Sequence, residues 1–445
     1  MSPPTNALRA PLRAPPLPSP SPRPATPAVA PAPAAKGRES PQMSRRSRLG
    51  ITLSLARDID ALEGEWRAFE KVADCTVFQS FDWLSRWCRH VGAAQGARAA
   101  VVVGRGAKNE LAFLLPLAVT GSLVRRLTFL GDGLCDYNAP LLAPEFSARL
   151  DAAAARFLWR EICALLQRDP HLHYDLVELT KMPEDVGAQA NPLLHLPVSL
   201  NASGAHLTQL HGTWDAFYVA KRSSSTRRRD RTKLKRLSEH GEVRCVTPST
   251  GDEIRQTLET LVAQKSKQFG RMGVKNLFAR PGHRDFFLAL ATDPRARPLV
   301  HVSRLDVGQT AAAVNLGLTF RGTYYHVLAS YDDGEVARFG PGAAHLRELL
   351  QHAIANGLQR FDFTIGDERY KLEWSDTSIK LYDHVAAATL RGWPVVMLSA
   401  AFRRLKRLIK QNPVLWRGFN GVRAMAAALR GRRAGDAQEA AETSA

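Results

Sequence analysis

Apolar positions along the chain switch between a period of two and a period of three to four, and the switches fall in the same order twice. In the first half, short apolar runs at 51–55, 99–103, 111–119, 126–130 and 175–179 read as strands, while helical spacing predicts helices over 60–72, 81–90 and 148–166. In the second half a strand over 243–247 leads into a helix that Thr250-x-x-Glu253 opens as a capping box, with Leu258, Leu261 and Val262 on its apolar face. A helix over 284–292 follows. Strands over 299–305, 311–320 and 324–331 are separated by Val307-Gly308 and Arg321-Gly322, where glycine supplies the positive φ of a tight turn. A helix over 341–356 begins with Pro341 at its first position and stops at Gly357, and strands over 360–365 and 380–389 close the pattern.

The repeated order, β-α-α-β-β-β-α-β with a final strand, predicts an α/β (α+β) fold of two tandem domains. Each is expected to hold a mixed, mostly antiparallel sheet flanked by helices. An antiparallel meander that hands over to a helix and a parallel strand opens a splay where a ligand can insert. The expected organisation is a Pro/Ala-rich disordered segment over 1–48 and a first domain over 49–205 acting as substrate or scaffold domain. A second domain over 206–394, preceded by a basic helix, and a basic amphipathic tail with a disordered end over 395–445 complete it.

Composition sharpens this picture. Residues 1–42 hold thirteen prolines, which deny both helix and sheet ladders, and Met43 opens a more ordinary N-terminus. Five scattered cysteines without CxxC spacing argue against a disulfide framework and for a reducing cytosol, and no metal is expected. The chain has no apolar run long enough to span a bilayer and no signal-peptide apolar core. The net charge of +19 is concentrated in three places: residues 1–48, residues 221–236 with nine Lys/Arg against Asp230, and residues 397–433 with ten against none. Nucleic acid, an anionic membrane face and a phosphorylated substrate each fit such clusters. The run containing Arg227 and Arg228 lacks interleaved aromatics, which disfavours base stacking. In the last cluster Leu398, Phe402, Leu405, Leu408 and Ile409 recur at helical spacing among cations, a pattern that suits either an anionic bilayer surface or packing on the body.

Candidate chemistry gathers between Phe339 and Trp374. Phe339-Gly340-Pro341-Gly342 delivers a strand into a helix whose unpaired N–H groups can receive a pyrophosphate. Asp362, between Phe361 and Phe363, faces the opposite side of its strand from those rings. It is a candidate base or acceptor-orienting group, or else the partner of a nearby cation. Asp367, Glu368, Tyr370 and Lys371 follow closely.

Four strings resemble the GNAT superfamily of N-acyltransferases, and in particular the CelD-type acetyltransferases associated with cellulose and exopolysaccharide biosynthesis. They are Phe78-Gln79-Ser80-Phe81-Asp82-Trp83-Leu84, Leu130-Gly131-Asp132-Gly133-Leu134-Cys135-Asp136-Tyr137, the basic run 227–237, and Phe361-Asp362-Phe363 followed by Gly366 and Tyr370-Lys371. The resemblance covers roughly residues 51–393, and the related Fem-type peptidyltransferases, which take aminoacyl-tRNA, share it. It implies transfer of an acyl group, acetyl above all, from acyl-CoA to an amine or hydroxyl of an envelope polysaccharide, nucleotide-sugar or lipid-linked precursor. The enzyme would be cytoplasmic or peripheral at the inner membrane face. The implied phosphate-binding pattern places its glycines on Gly340 and Gly342 with Ala343 behind them; its first position falls on Ala337, with Arg338 displaced by one. For such a reaction Asp362 is the candidate base or acceptor-orienting group and Tyr370 a candidate proton donor to the leaving thiolate, and the resemblance implies that Lys371 binds substrate phosphate. Asp136 and Tyr137, with Arg227 and Arg228, are implied to recognise the acceptor. Two alternatives stand beside this reading: an aminoacyl-tRNA-dependent transferase, and a non-catalytic module that docks on RNA or membrane.

Overall fold

The computed structural model describes residues 44–411, Arg48 excepted. The Pro-rich segment 1–43 and the end of the tail, 412–445, lie outside the described residues, and with them the expected disorder of both. The strands are β1 Thr52–Ala56, β2 Arg98–Arg105, β3 Leu111–Thr120, β4 Arg126–Phe129, β5 Leu176–Pro183, β6 Ser199–Leu200 and β7 Ala205–Gln209. They continue with β8 Val243–Val246, β9 Val300–Val307, β10 Thr310–Phe320, β11 Thr323–Tyr331, β12 Arg360–Ile365, β13 Thr377–Ile379 and β14 Leu381–Ala387. The helices used below are α1 Glu63–Phe69, α2 Phe81–Trp87, α3 Ala152–Gln167, α4 Trp214–Lys221, α5 Ser224–Ser238, α6 Gly251–Arg271, α7 His283–Thr292, α8 Pro341–Ala355, α9 Arg369–Trp374 and α10 Gly392–Gln411.

Two large mixed sheets result, each flanked by helices, beside a two-stranded ribbon of Asp185–Val186 and Gln189–Ala190. The first runs Ser44–Arg46, β1, β2, β3, β4, β5, β14, β6, and the second β8, β9, β10, β11, β12, β7, β13. In both, an antiparallel meander ends in a strand-helix-strand unit whose outer strands are parallel: β4 with β5 through α3, and β11 with β12 through α8. The expected capping box is present, Thr250 accepting from the Glu253 N–H while Glu253 reaches back to the Thr250 N–H. Gly357 takes the positive φ of +69° that ends α8.

The halves exchange strands. β7, which leaves the first half, pairs with β12 and β13 in the second sheet, and β14, the last strand, returns to β5 in the first. Neither sheet is complete without chain contributed from beyond its own meander. The apolar core is shared as well. Trp66, Phe78, Phe81 and Trp83 join Phe286, Phe287 and Leu316 in one buried cluster, with the Trp83 and Phe286 rings edge-on at 4.9 Å. The string 78–84 is therefore the packing surface between halves, where a buried aromatic side chain is worth about 2–3 kcal/mol. Arg86 adds a polar tie, pairing with Asp82 on its own helix at 2.8 Å and with Asp293 across the interface.

Candidate active site

β11 and β12 pair only over Thr323↔Arg360, Tyr324↔Phe361 and Tyr325↔Asp362, although β11 runs on to Tyr331 and β12 to Ile365. Beyond that fork the strands part, which is the splay the repeated order predicts. The freed edge of β11 is met by α6: Lys265 Nζ donates to the Ala329 carbonyl at 2.9 Å and Gln268 Nε2 to that of Tyr331 at 3.1 Å. Burial lowers the Lys265 pKa.

Asp362 is the last paired residue of the fork. Phe361 and Phe363 point into the core beneath α8 with Leu346, Leu349 and Leu350, so strand alternation turns Asp362 to the other face, towards the first half. There the Tyr137 hydroxyl donates to both carboxylate oxygens, at 2.8 and 2.9 Å, and the Thr364 N–H donates to Oδ1 at 2.7 Å. Burial pushes the Asp362 pKa up to about 7; the Tyr137 and Thr364 hydrogen bonds oppose the rise, Asp136 adds to it and Lys371 opposes it. Burial likewise raises Asp136, against Lys181 and Lys371 and a hydrogen bond with Thr364. Tyr137 is held well above its ordinary value by burial and then by Asp362.

Two backbone irregularities aim these groups. Thr364 in β12 has φ +60° and Lys181 in β5 has φ +57°, and each lies opposite a register shift in the exchanged strand beside it, at His206/Leu207 of β7 and Tyr382/His384 of β14. A bulge beside a positive φ re-aims the side chains around it. Thr364 consequently offers its N–H to Asp362, and Lys181 Nζ reaches the Cys135 carbonyl at 2.7 Å, next to Asp136. The pair of bulges, one per half, converges on a single cluster of Asp136, Tyr137, Lys181, Asp362 and Lys371. The Lys371 ammonium, buried on the short helix α9, donates to the Ile365 carbonyl at 2.7 Å and pairs with Glu368 at 3.3 Å.

The remaining expected residues lie apart from this cluster. Tyr370 is partly exposed, its ring edge-on to His326 at 6.3 Å. Gly340, at φ +69°, caps α8 without a side-chain hydrogen bond, and Gly342 lies beside the Tyr331 ring. The Arg338 guanidinium sits 4.8 Å over the Phe339 ring. It is Lys233, from the basic helix α5, that comes nearest the turn: its Nζ is 3.7 Å from where a Cβ on Gly340 would stand. Arg227 folds back to the Arg222 and Val219 carbonyls at 2.7 and 3.2 Å and braces the α4–α5 junction, while Arg228 is exposed. Sequence reasoning passed over Lys181 and Lys265, and placed Lys233 in the basic run without linking it to the Gly340 turn. Lys181 sits in the strand Leu-Val-Glu-Leu-Thr-Lys-Met-Pro, where Glu178 and Thr180 are polar too, and Lys265 looks like an ordinary solvated helix position. A cavity of about 600 Å³ beneath α5 is lined by Arg231, Lys235 and Glu348. Asp362 itself is buried, with the Tyr137 hydroxyl against both of its carboxylate oxygens.

With this geometry in place, likeness to known proteins becomes specific. Residues 224–372, from the first turn of α5 to just past Lys371, match the profile of an Acetyltransferase (GNAT) domain. The chain thus carries the catalytic domain of an acyltransferase, and it holds the splay, the Gly340 turn, Asp362 and Lys371. Among solved structures it is similar to FemX, at 10% identity over 76% of this chain and 98% of that one with a TM-score of 0.51, a likeness of fold. A conserved protein of unknown function from Bacteroides thetaiotaomicron VPI-5482 follows at 13% identity, 75% and 98% coverage and a TM-score of 0.48. L-PGS from Bacillus licheniformis gives 13% identity, 78% and 97% coverage and a TM-score of 0.45. No curated protein matches the chain.

Proposed function

We propose that the protein moves an acyl group, acetyl in the first instance, from acyl-CoA to an amine or hydroxyl of an envelope polysaccharide precursor, as the resemblance to CelD-type enzymes implies. The observation that carries the reading is Asp362: a buried carboxylate with a pKa near 7, held at the fork of a GNAT splay by a tyrosine of the other half. Such a group is half ionised at neutral pH and suited to remove a proton from an acceptor as it attacks the thioester carbonyl. The acceptor N–H or O–H proton passes to Asp362, the new bond forms at the carbonyl carbon, and the thiolate leaves. Lys371, held on the Ile365 carbonyl and Glu368, binds substrate phosphate, and Tyr370, partly exposed beside His326, is the proton donor to the thiolate.

The CoA phosphates fit the start of α8. Gly340 lets the backbone approach, the helix lacks a side-chain cap, and Lys233 supplies the cation that the Ala337 position does not. Asp136 and Tyr137 bring the first half into contact with the acceptor. Isothermal titration with CoA and acetyl-CoA tests the donor: binding in the micromolar to millimolar range is expected, and folded protein that binds neither removes acyl-CoA from the scheme.

A second reading, aminoacyl transfer from charged tRNA, is favoured by the FemX-like fold and by the basic helix beside Gly340. It requires that radiolabelled aminoacyl groups move only when charged tRNA is supplied.

A further inference from the structure

The two most exposed large apolar side chains among the described residues, Leu390 at 93% and Leu123 at 90%, share one corner of the molecule. Asp175 makes that corner. Its Oδ2 accepts from the Arg125 N–H at 2.9 Å, its Oδ1 from the Thr389 hydroxyl at 2.8 Å, and its main-chain oxygen from the N–H groups of Ala388 and Thr389 at 2.8 and 3.0 Å. The loop bearing Leu123 and the turn bearing Leu390 are thereby tied to one residue. Gly392, which starts α10, approaches so closely that a Cβ there would stand 2.0 Å from the Asp175 oxygen, so the direction of the helix is fixed as well.

α10 rests on β14 and β5. A helix lying on a folded body ordinarily buries its large apolar residues. This one half-buries Val395, Val396, Ser399 and Ala400 and turns Trp393, Met397 and Leu398 outward, with Leu398 74% exposed. Trp393, Met397 and Ala401 recur at a spacing of four and form one outward stripe with Leu398 beside it. The sequence carries the spacing on through Leu405 and Leu408, among Arg403, Arg404, Lys406, Arg407 and Lys410, with no Asp or Glu between 397 and 433. Exposed Arg391 flanks the corner. No helix among the described residues is long and apolar enough to cross a membrane.

We propose that this corner, made of Leu123, Leu390 and the outward face of α10, docks on an anionic lipid bilayer. Large apolar side chains presented beside cations match a surface that is apolar just beneath negative headgroups. Single-stranded nucleic acid calls for a series of stacking aromatics, and among the residues whose side chains are described the stripe exposes one aromatic, Trp393. A second copy would bring the five cations of α10 against the same five. The proposal is independent of the acyl-transfer reading.

Sedimentation of the full chain with vesicles of phosphatidylcholine, alone or mixed with phosphatidylglycerol, tests it. The chain is expected to partition onto the anionic vesicles at least about tenfold more strongly than onto neutral ones, and less so at high salt. Leu390→Glu combined with Leu398→Glu, both exposed, is expected to keep the melting temperature and lose about tenfold in partition. Undiminished binding by that variant overturns the proposal. So does absence of vesicle binding, whether the chain instead shifts with tRNA or the variant turns a dimer into a monomer in analytical centrifugation.

Discussion

The hydroxyl of Tyr137 lies 2.8 and 2.9 Å from the two carboxylate oxygens of Asp362, a residue 225 positions further along the chain. A bifurcated hydrogen bond therefore joins the string around Gly131 to β12 of the acyltransferase domain, and it does so at the fork where that domain opens. Because the bond stabilises the charged carboxylate, it offsets part of the rise that burial imposes on the Asp362 pKa, and it ties the two halves together at the site.

Tyr137→Phe removes a bond that lowers the Asp362 pKa, so the carboxyl is expected to titrate higher, by about one pH unit. The acid limb of the pH profile for acyl transfer, near pH 7 in the native protein, moves to higher pH. A 13C titration of the Asp362 carboxyl reads the same shift without any substrate. An unmoved midpoint would show that Tyr137 has no hold on the carboxylate.

Asp362→Asn should trade activity for stability. The folded-state pKa of about 7 exceeds the model-compound value of 3.8, so the folded protein holds the proton more tightly than the unfolded chain does. Its contribution is complete below about pH 4 and is lost as pH rises towards 7, on the order of a few kcal/mol. The Asn variant lacks that slope. Thermal melts at pH 5 and pH 8 are expected to show a smaller loss between the two for the variant than for the native protein, together with loss of transfer.

A chain ending at Lys380 lacks β14, and with it the neighbour of β5 on the side away from β4. The exposed β5 edge and the loss of the Asp383 carboxylate that accepts the Lys181 N–H at 3.0 Å should unravel the first sheet, not trim its end. Hydrogen exchange over residues 176–183 is expected to become fast, and the first half to aggregate.

Lys233→Ala tests the helix start. Lys233 stands beside Gly340 on an exposed face of α5, so its removal is expected to leave the melting temperature within about 1 °C. Affinity for acyl-CoA falls roughly three- to tenfold, with a weaker dependence on salt, measured by titration at two ionic strengths. Arg338→Ala, whose guanidinium lies over Phe339, is expected to weaken binding less.

The meanders and long helices were legible because each buries a face whose period is written locally: Leu258 and Leu261 on α6, or the alternation that separates Asp362 from Phe361 and Phe363. The strand exchange was not. Ala205–Gln209 reads as Ala-His-Leu-Thr-Gln, mostly polar, and its partner β12 lies more than 150 residues ahead, so no local period marks it. The short helices α4 and α9 escaped for a similar reason, being held by tertiary contacts such as the stacked Phe217 and Trp374 rings at 6.3 Å. Asp362, Lys371, Asp136 and Tyr137 could be named from the strings that contain them. That Asp136 and Tyr137 meet Asp362 depends on two bulges at Lys181 and Thr364, and a positive φ at a lysine or threonine leaves no trace in composition.

Comparing the metabolites of a strain lacking this protein, complemented with the native gene or with an Asp362→Asn copy, tests the central claim most directly. The native copy is expected to restore an acylated envelope precursor that both the deletion strain and the Asn copy lack, with the Asn protein folded and present at native abundance. Restoration of that precursor by the Asn copy would contradict the assignment of Asp362 as the base.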